Sequence, residues 1–351
     1  MTRSAAHVSD LLVLAGRGRP RPAIELADGL VADGLDPRRL VLDVLTTTQE
    51  RIGELWLENS WSTAQEHAAT AVVDGIVGAL STHQGAETGT SGVVVVACAE
   101  EEYHSLPARM GAELLRQDGW DVVFLGASVP AEDLQDYVAD AEPDAVVVCC
   151  TIGTLLIGAA RSLAAVREVG IPAIAVGAAF GPDATRARTL GATGWIDGSR
   201  MLTRAFLDSL PEPAAPFELS SEGARLEVEL ELIVHEAGAV LARALSLTDP
   251  SPEWHRQVHE DLRLTVRYLG VAAELDERAV FDDHLAWWRS FLDARGTTTD
   301  LLDLFVAVLA AELSSAGFAR LAAVCTEAIP HPSGGASTSA KAIGATTSSW
   351  S

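Results

Sequence analysis

Three stretches of this chain carry side chains whose types and spacing could do chemistry. The first is Glu102-Tyr103-His104-Ser105-Leu106-Pro107, where a carboxylate stands two residues before a histidine. Such a carboxylate can hold one ring nitrogen, fix the tautomer and leave the other nitrogen to a metal. A loop histidine without that context is more often a polar surface group. The second is Trp56, followed after nine residues by Glu66-His67. A tryptophan at helical spacing usually packs in a core, but this one precedes a helix break and Glu66 and His67 open the next helix. All three can therefore converge on one cavity. The third runs from Arg278 to Arg289 and sets His284, Trp288 and Arg289 within three helical turns. Aromatic residues at such intervals most often form core.

The elements that must position these groups fall into three regions. Residues 1–85 repeat apolar side chains every three or four positions, as in Leu40, Leu42 and Leu45, then Ile52, Leu55 and Trp56, which predicts a helical bundle. Asp36-Pro37 and Ser62-Thr63-Ala64-Gln65 mark helix starts, the second with the spacing of a capping box. The stretch from His83 to Thr90 loses the period and reads as a linker. Residues 91–210 change to valine-rich runs alternating with helical stretches. Strands are expected at Val93–Cys98, Val122–Leu125, Ala145–Cys150, Ala173–Val176 and Gly194–Ile196. Unbroken apolar runs of this kind belong to parallel strands covered on both faces, hence a doubly wound α/β domain. Ligands of such folds bind outside the carboxyl ends of the strands, in the loops after Cys98, Leu125, Cys150 and Val176. A proline-rich hinge at 211–217 precedes a third, all-helical region, 218–330, with helices expected at 221–246, 252–274, 278–294 and 299–328, the last broken at Gly317. Residues 331–351, rich in Ser, Thr, Gly and Ala, read as a disordered tail.

With these residues in place, the chain resembles the cobalamin-binding domain shared by methionine synthase, corrinoid proteins and B12 mutases, whose motifs are DxHxxG, SxL and GG. Here Glu102, His104 and Pro107 match the first motif with Glu for Asp and Pro for Gly. Cys149 and Thr151 fall where SxL should, and Gly177-Ala178 replaces the glycine pair. The segment Phe124–Pro130, which includes Val129, resembles the family's second strand and helix entry. The resemblance covers residues 1–209. It implies a Rossmann-like domain in which His104 ligates cobalt from below, the nucleotide tail enters the α/β core, and Gly153, Gly177 and Ala178 leave it space. Pro107 is tolerable in the first turn of a helix. The W-x9-EH spacing is similar to that of B12-dependent photoreceptors, which implies that Trp56, Glu66 and His67 pack over the adenosyl group of adenosylcobalamin. Photoreceptors that form a two-histidine adduct after light carry histidine directly after the tryptophan, where this chain has Leu57. The three-region layout resembles the photocobilins, which implies a globin-like C-terminal domain that binds biliverdin. On that reading His284, Trp288 and Arg289 serve the bilin, with Arg263 or Arg267 adding charge. Haem is the competing ligand, with His259 or His284 as axial candidate.

Composition narrows the choice of function. The chain has 351 residues, 49 acidic against 25 basic, a formal charge of −24 and a mean hydropathy of +0.20. Such a charge repels phosphate backbones, so no nucleic-acid partner is expected. The longest apolar runs fall far short of the ~20 residues a membrane helix needs, and no secretory leader is evident, which predicts a cytoplasmic protein with no membrane partner. Cys98, Cys149, Cys150 and Cys325 lack CxxC spacing and read as buried thiols. No cyclase, kinase or phosphate-loop motif is present, so the chain is expected to be a non-enzymatic light sensor. Its output is then a light-dependent change in self-association, or a downstream protein partner. The alternatives are a corrinoid shuttle carrying methyl groups for a methyltransferase and a mutase subunit. Nothing in the sequence resembles the barrel a mutase needs.

Overall fold

The computed structural model describes residues 3–83, 91–197, 202–212, 215–297 and 300–328. The linker expected at 83–90 and the tail at 331–351 lie, apart from His83, outside the described residues. The chain divides into two compact units, Met1–Trp56 with Trp61–Phe217, and Leu57–Ser60 with Glu218–Ser351.

The first unit begins with α1 (Arg3–Gly16), α2 (Pro20–Ala32) and α3 (Pro37–Arg39), a π-helical segment Leu40–Leu45 that runs on into α4 (Thr46–Leu57), and α5 (Thr63–His83). Asp36 caps α3 by accepting from the Arg38 amide at 2.9 Å. Asn59 takes a left-handed φ of 58° just beyond the end of α4. Ser62 and Gln65 then close the capping box: the Ser62 amide donates to Gln65 Oε1 at 3.0 Å and the Gln65 amide to Ser62 Oγ at 3.3 Å. The break between α4 and α5 is thus written in local chemistry.

Five parallel strands follow: β1 (Val93–Cys98), β2 (Asp121–Gly126), β3 (Ala145–Cys149), β4 (Ala173–Val176) and β5 (Gly194–Ile196), in the order β2-β1-β3-β4-β5. The valine runs form strands where the sequence predicts them. The differences are at the ends: β2 gains a residue at each, and β3 stops at Cys149, releasing Cys150 into the loop. The helices that cover the sheet are α6 (Ser105–Gln117), α7 (Ala131–Ala141), α8 (Leu156–Glu168), α9 (Thr185–Thr189) and α10 (Arg204–Asp208), with single 3-10 turns at Gly153–Leu155 and Ala178–Phe180. Strand order reverses between β1 and β3, and the loops leaving those two strands frame the crevice where such folds take ligands.

Helix α6 ties the bundle to the sheet. Leu106, Met110 and Leu114, four residues apart, join the bundle core with Leu45, Ile52 and Ile76. Ala108, Ala112 and Leu115 on another face join the sheet core with Val94, Cys98 and Val147. A helix apolar on two faces is held from both sides, and His104 is the residue just before it.

The second unit is all-helical: α11 (Ser221–Ala244), α12 (Pro252–Leu275), α13 (Ala279–Ala294), α14 (Asp300–Ser315) and α15 (Ala319–Glu327). Ser220 and Ser251 cap α11 and α12, accepting from the Gly223 and Trp254 amides at 3.0 and 3.1 Å. Helix α12 stops at Asp276 with φ 50°, and Gly317, with φ 77°, makes the break expected between α14 and α15. Helix α11 packs on α12 and α14, α12 on α13 and α15, and α14 on α15. No helix of the described residues is long and apolar enough to cross a membrane.

Candidate functional site

Glu102 is fully buried at the end of β1. Its Oε1 accepts from the His104 amide at 2.9 Å and lies 2.7 Å from His104 Nδ1. Its Oε2 accepts from the Thr151 amide at 2.8 Å, the Thr151 hydroxyl at 2.7 Å and the Ile152 amide at 3.2 Å. The carboxylate therefore clamps the loop after β1 to the loop after β3 across the switch point. Burial pushes its pKa up, but the bonds from His104 and Thr151 outweigh that and hold it at about 2. The His104 pKa is raised by its bond to Glu102, against the opposing effect of burial. With Nδ1 held, the His104 side chain remains 64% exposed. The loop after β2 is latched on as well: the Glu101 amide donates to Ser128 Oγ at 3.2 Å and the Ser128 amide to Glu102 O at 2.9 Å. Val129 follows in that loop, half-buried.

Thr151, not Cys149, brings a hydroxyl to the Glu102 carboxylate. Cys149 points into the sheet core, 2% exposed, and burial drives its thiol pKa well up, so it is not a group on the crevice surface. All four cysteines are free and buried. Gly153 lies in the 3-10 turn after β3, and Gly177-Ala178 at the end of β4. Gly177 has φ 114°, and a Cβ there would stand 2.2 Å from the Cys150 carbonyl, so only glycine fits. Ala178 is exposed.

Helices α4 and α5 run antiparallel and are bonded to each other twice. Gln49 Nε2 donates to Thr70 Oγ1 at 2.8 Å, and Trp56 Nε1 to Thr63 Oγ1 at 3.3 Å. Between these two ties, Glu66 accepts from Thr70 Oγ1 at 2.8 Å and lies 2.5 Å from His67 Nδ1. A second imidazole thus has its Nδ1 held by a carboxylate. The Glu66 charge also raises the His104 pKa, so the start of α5 and the loop after β1 feel one another within this unit.

The second unit holds a small apolar pocket of about 70 Å³. Leu241, Gln257, Asp261, Trp288, Phe291 and Phe305 are among its walls. Of the three groups singled out in that region, only Trp288 lines it. His284 is 5% exposed, stacked on Tyr268 at 4.1 Å between ring centroids, with its Nε2 3.4 Å from Thr265 Oγ1. Burial lowers its pKa to about 3, which makes it a neutral core imidazole. Arg289 pairs with Asp303 at 3.1 Å. Arg263 and His259 share Glu231 at 2.9 and 3.1 Å. The expected ligand cluster is therefore core and surface ion pairs, and the residues lining the pocket include no histidine for a haem iron. Sequence reasoning missed Asp261 because an aspartate inside a helix normally faces solvent.

Against known proteins, residues 92–200 match the B12 binding domain family and residues 9–81 match a second B12 binding domain family. The first unit therefore carries two B12-binding domains and binds cobalamin. The trimethylamine corrinoid protein 1 of Methanosarcina acetivorans is 24% identical over 152 residues, which are 42% of this chain and 70% of that protein. The HTH-type transcriptional repressor CarH of Myxococcus xanthus is 34% identical over 128 residues, 36% of this chain and 42% of that protein. The structure of the Methanosarcina barkeri monomethylamine corrinoid protein aligns over 54% of this chain and 92% of its own, at 15% identity and a TM-score of 0.48.

The residues present fit a corrinoid. His104 offers an imidazole oriented through Nδ1, a ligand type that suits transition metals. Gly177 lets the turn after β4 pack directly on the Cys150 backbone, with no room for a side chain.

Proposed function

We propose that this chain is a light-responsive cobalamin protein, in which His104 ligates the cobalt and Trp56, Glu66 and His67 cover the upper face. Adenosylcobalamin supplies a cobalt–carbon bond that light can break. The observation that carries the reading is the cross-bonded pair of helices: Trp56 tied to Thr63, and Glu66 tied to His67 and Thr70, with the Glu66 charge reaching His104. The identity to CarH supports it. In this reading Glu102 keeps His104 oriented, Trp56 excludes water from the covered face, and loss of the adenosyl group frees α4 and α5 to repack. That repacking changes self-association or exposes a surface to a protein partner, with no enzymatic step of the chain's own.

The pocket of the second unit takes the second chromophore. Its walls of Trp288, Phe291 and Phe305 suit a flat conjugated group. We read it as a biliverdin site in a globin-like domain, and not a haem site, since no axial ligand lines it.

A methyl-carrying corrinoid protein is the second reading, favoured by the 70% of the Methanosarcina acetivorans protein that the match spans. Size-exclusion chromatography of the adenosylcobalamin-loaded chain, in darkness and after green light, separates the two. A light-induced shift in elution with an irreversible spectral change is the expected result. A photostable complex with unchanged elution would favour the methyl carrier.

A further inference from the structure

Gln49 stands on the same face of α4 as Trp56, two turns earlier, and only one end of its amide is engaged. Its Nε2 donates to Thr70 Oγ1 at 2.8 Å, and Thr70 Oγ1 donates in turn to Glu66 Oε1 at 2.8 Å. Because the Thr70 proton is committed to a carboxylate, the hydroxyl oxygen can only accept from Gln49, which fixes the orientation of the amide. Gln49 Oε1 is then left buried with no donor, and no other buried side-chain oxygen among the described residues is left so. A buried acceptor without a partner destabilises the fold that holds it. A bound group that brings an N–H or O–H relieves that cost.

The surroundings limit what that group can be. Glu66 closes the same chain of hydrogen bonds and lies against His67, so an anion beside Gln49 would meet a carboxylate. A methyl group on cobalt has no polar hydrogen to donate. An adenosyl group has an amino group on its base and hydroxyls on its ribose. Gln49 and Trp56 are separated by about 10 Å of helix, a span that a nucleoside covers, with an indole to pack against at one end and an acceptor at the other.

We infer that Gln49 selects the upper ligand of the corrinoid, its Oε1 accepting a hydrogen bond from the adenosyl group and so favouring adenosylcobalamin over methylcobalamin. This rests on the reading of Trp56, Glu66 and His67 as the upper cover and adds the residue that tells a nucleoside from a simple alkyl group. The polar chain from Gln49 through Thr70 and Glu66 to His67 acquires a donor at its open end. When the nucleoside leaves, Gln49 Oε1 is orphaned again, which favours the repacking of α4 and α5.

Equilibrium dialysis of the full chain in darkness against adenosylcobalamin and methylcobalamin tests this. The unmutated chain should hold the first about ten-fold more tightly, and Gln49→Met and Gln49→Leu should lower that preference by about five-fold while binding methylcobalamin as the parent does. Of two analogues, one without the 6-amino group and one without the ribose hydroxyls, one should bind the unmutated chain about five-fold more weakly than adenosylcobalamin but bind Gln49→Met equally well, which names the donor. Trp56→Ala is the reference for the cover. If it lowers the preference and the Gln49 variants do not, the selector is overturned and the cover stands. If the Gln49 variants lower it and Trp56→Ala does not, the selector stands and the cover reading falls. Equal weakening of both cobalamins by the Gln49 variants would make Gln49 a packing residue and overturn its selective role, as would an unmutated chain with no preference. Should neither variant fold, an unmutated chain that binds both analogues as tightly as adenosylcobalamin overturns it too.

Discussion

Each unit of this molecule sets one carboxylate in its site, Glu102 fully buried and Asp261 half-buried, and the two are treated in opposite ways. Glu102 receives donors from His104, Thr151 and Ile152 on both oxygens, and its pKa falls to about 2. Asp261 receives one side-chain amide in an aromatic pocket, and its pKa rises to about 7. Burial alone does not decide the charge of an acid; the number of donors aimed at it does. The first carboxylate is a structural clamp that orients another residue. The second receives a single side-chain donor, from Gln257, among apolar walls.

The largest effect should come from removing the clamp. Glu102→Ala leaves three amide donors, one hydroxyl and an imidazole without their acceptor, so unfolding by denaturant should show a loss of about 3–5 kcal/mol. A loss under about 1 kcal/mol would mean that the two loops are held by something else. Asp261→Leu should act in the other direction, raising the stability of the ligand-free chain at pH 8 by on the order of 1–3 kcal/mol. At pH 5, where Asp261 is protonated, most of that gain should vanish.

Titration sharpens the contrast, because the two acids have opposite signs. Glu102 has a lowered folded pKa, so its contribution is complete above about 4.5 and is lost as pH falls towards about 2. Asp261 has a raised folded pKa, so the folded state holds its proton more tightly and stability falls as pH rises from 3.8 to about 7. Hydrogen exchange followed separately in β1 and α12 should show protection declining in acid for the first and declining towards neutrality for the second. Parallel pH profiles would break the comparison. The smallest change is Thr151→Val, which removes one of the donors to Glu102. It should cost about 1 kcal/mol and weaken cobalamin binding slightly, by letting the clamp loosen.

Much of this architecture can be read from residue order. Short apolar runs, rich in valine in β1 and β3, predict all five strands, since a strand covered on both faces has no polar alternation to hide it. Ser62 and Gln65 mark the start of α5, and the helices of the second unit appear within about two residues of their observed ends. The Glu102–His104 pair is legible because two residues of spacing suffice to close a hydrogen bond within one loop. Groups brought together by tertiary packing are not. Thr151 meets Glu102 across 49 residues of chain, and motif spacing named it beside Cys149 without telling the two apart. His284, Trp288 and Arg289 look like a ligand cluster along one helix, yet α13 points them to a core stack, a pocket wall and an ion pair with Asp303. Asp261 carries no local signal, because its burial is made by α11, α13 and α14 closing round it.

The central claim is that His104, held by Glu102, is the protein's ligand to cobalt. Electron paramagnetic resonance of the chain loaded with cob(II)alamin, prepared with ordinary and with nitrogen-15 histidine, tests it at the atom concerned. The account predicts that each superhyperfine line is a triplet with ordinary histidine and a doublet with the labelled one, and that His104→Ala loses the doublet. Triplets that persist in the labelled protein would show the cofactor's own base still on the metal and would contradict it.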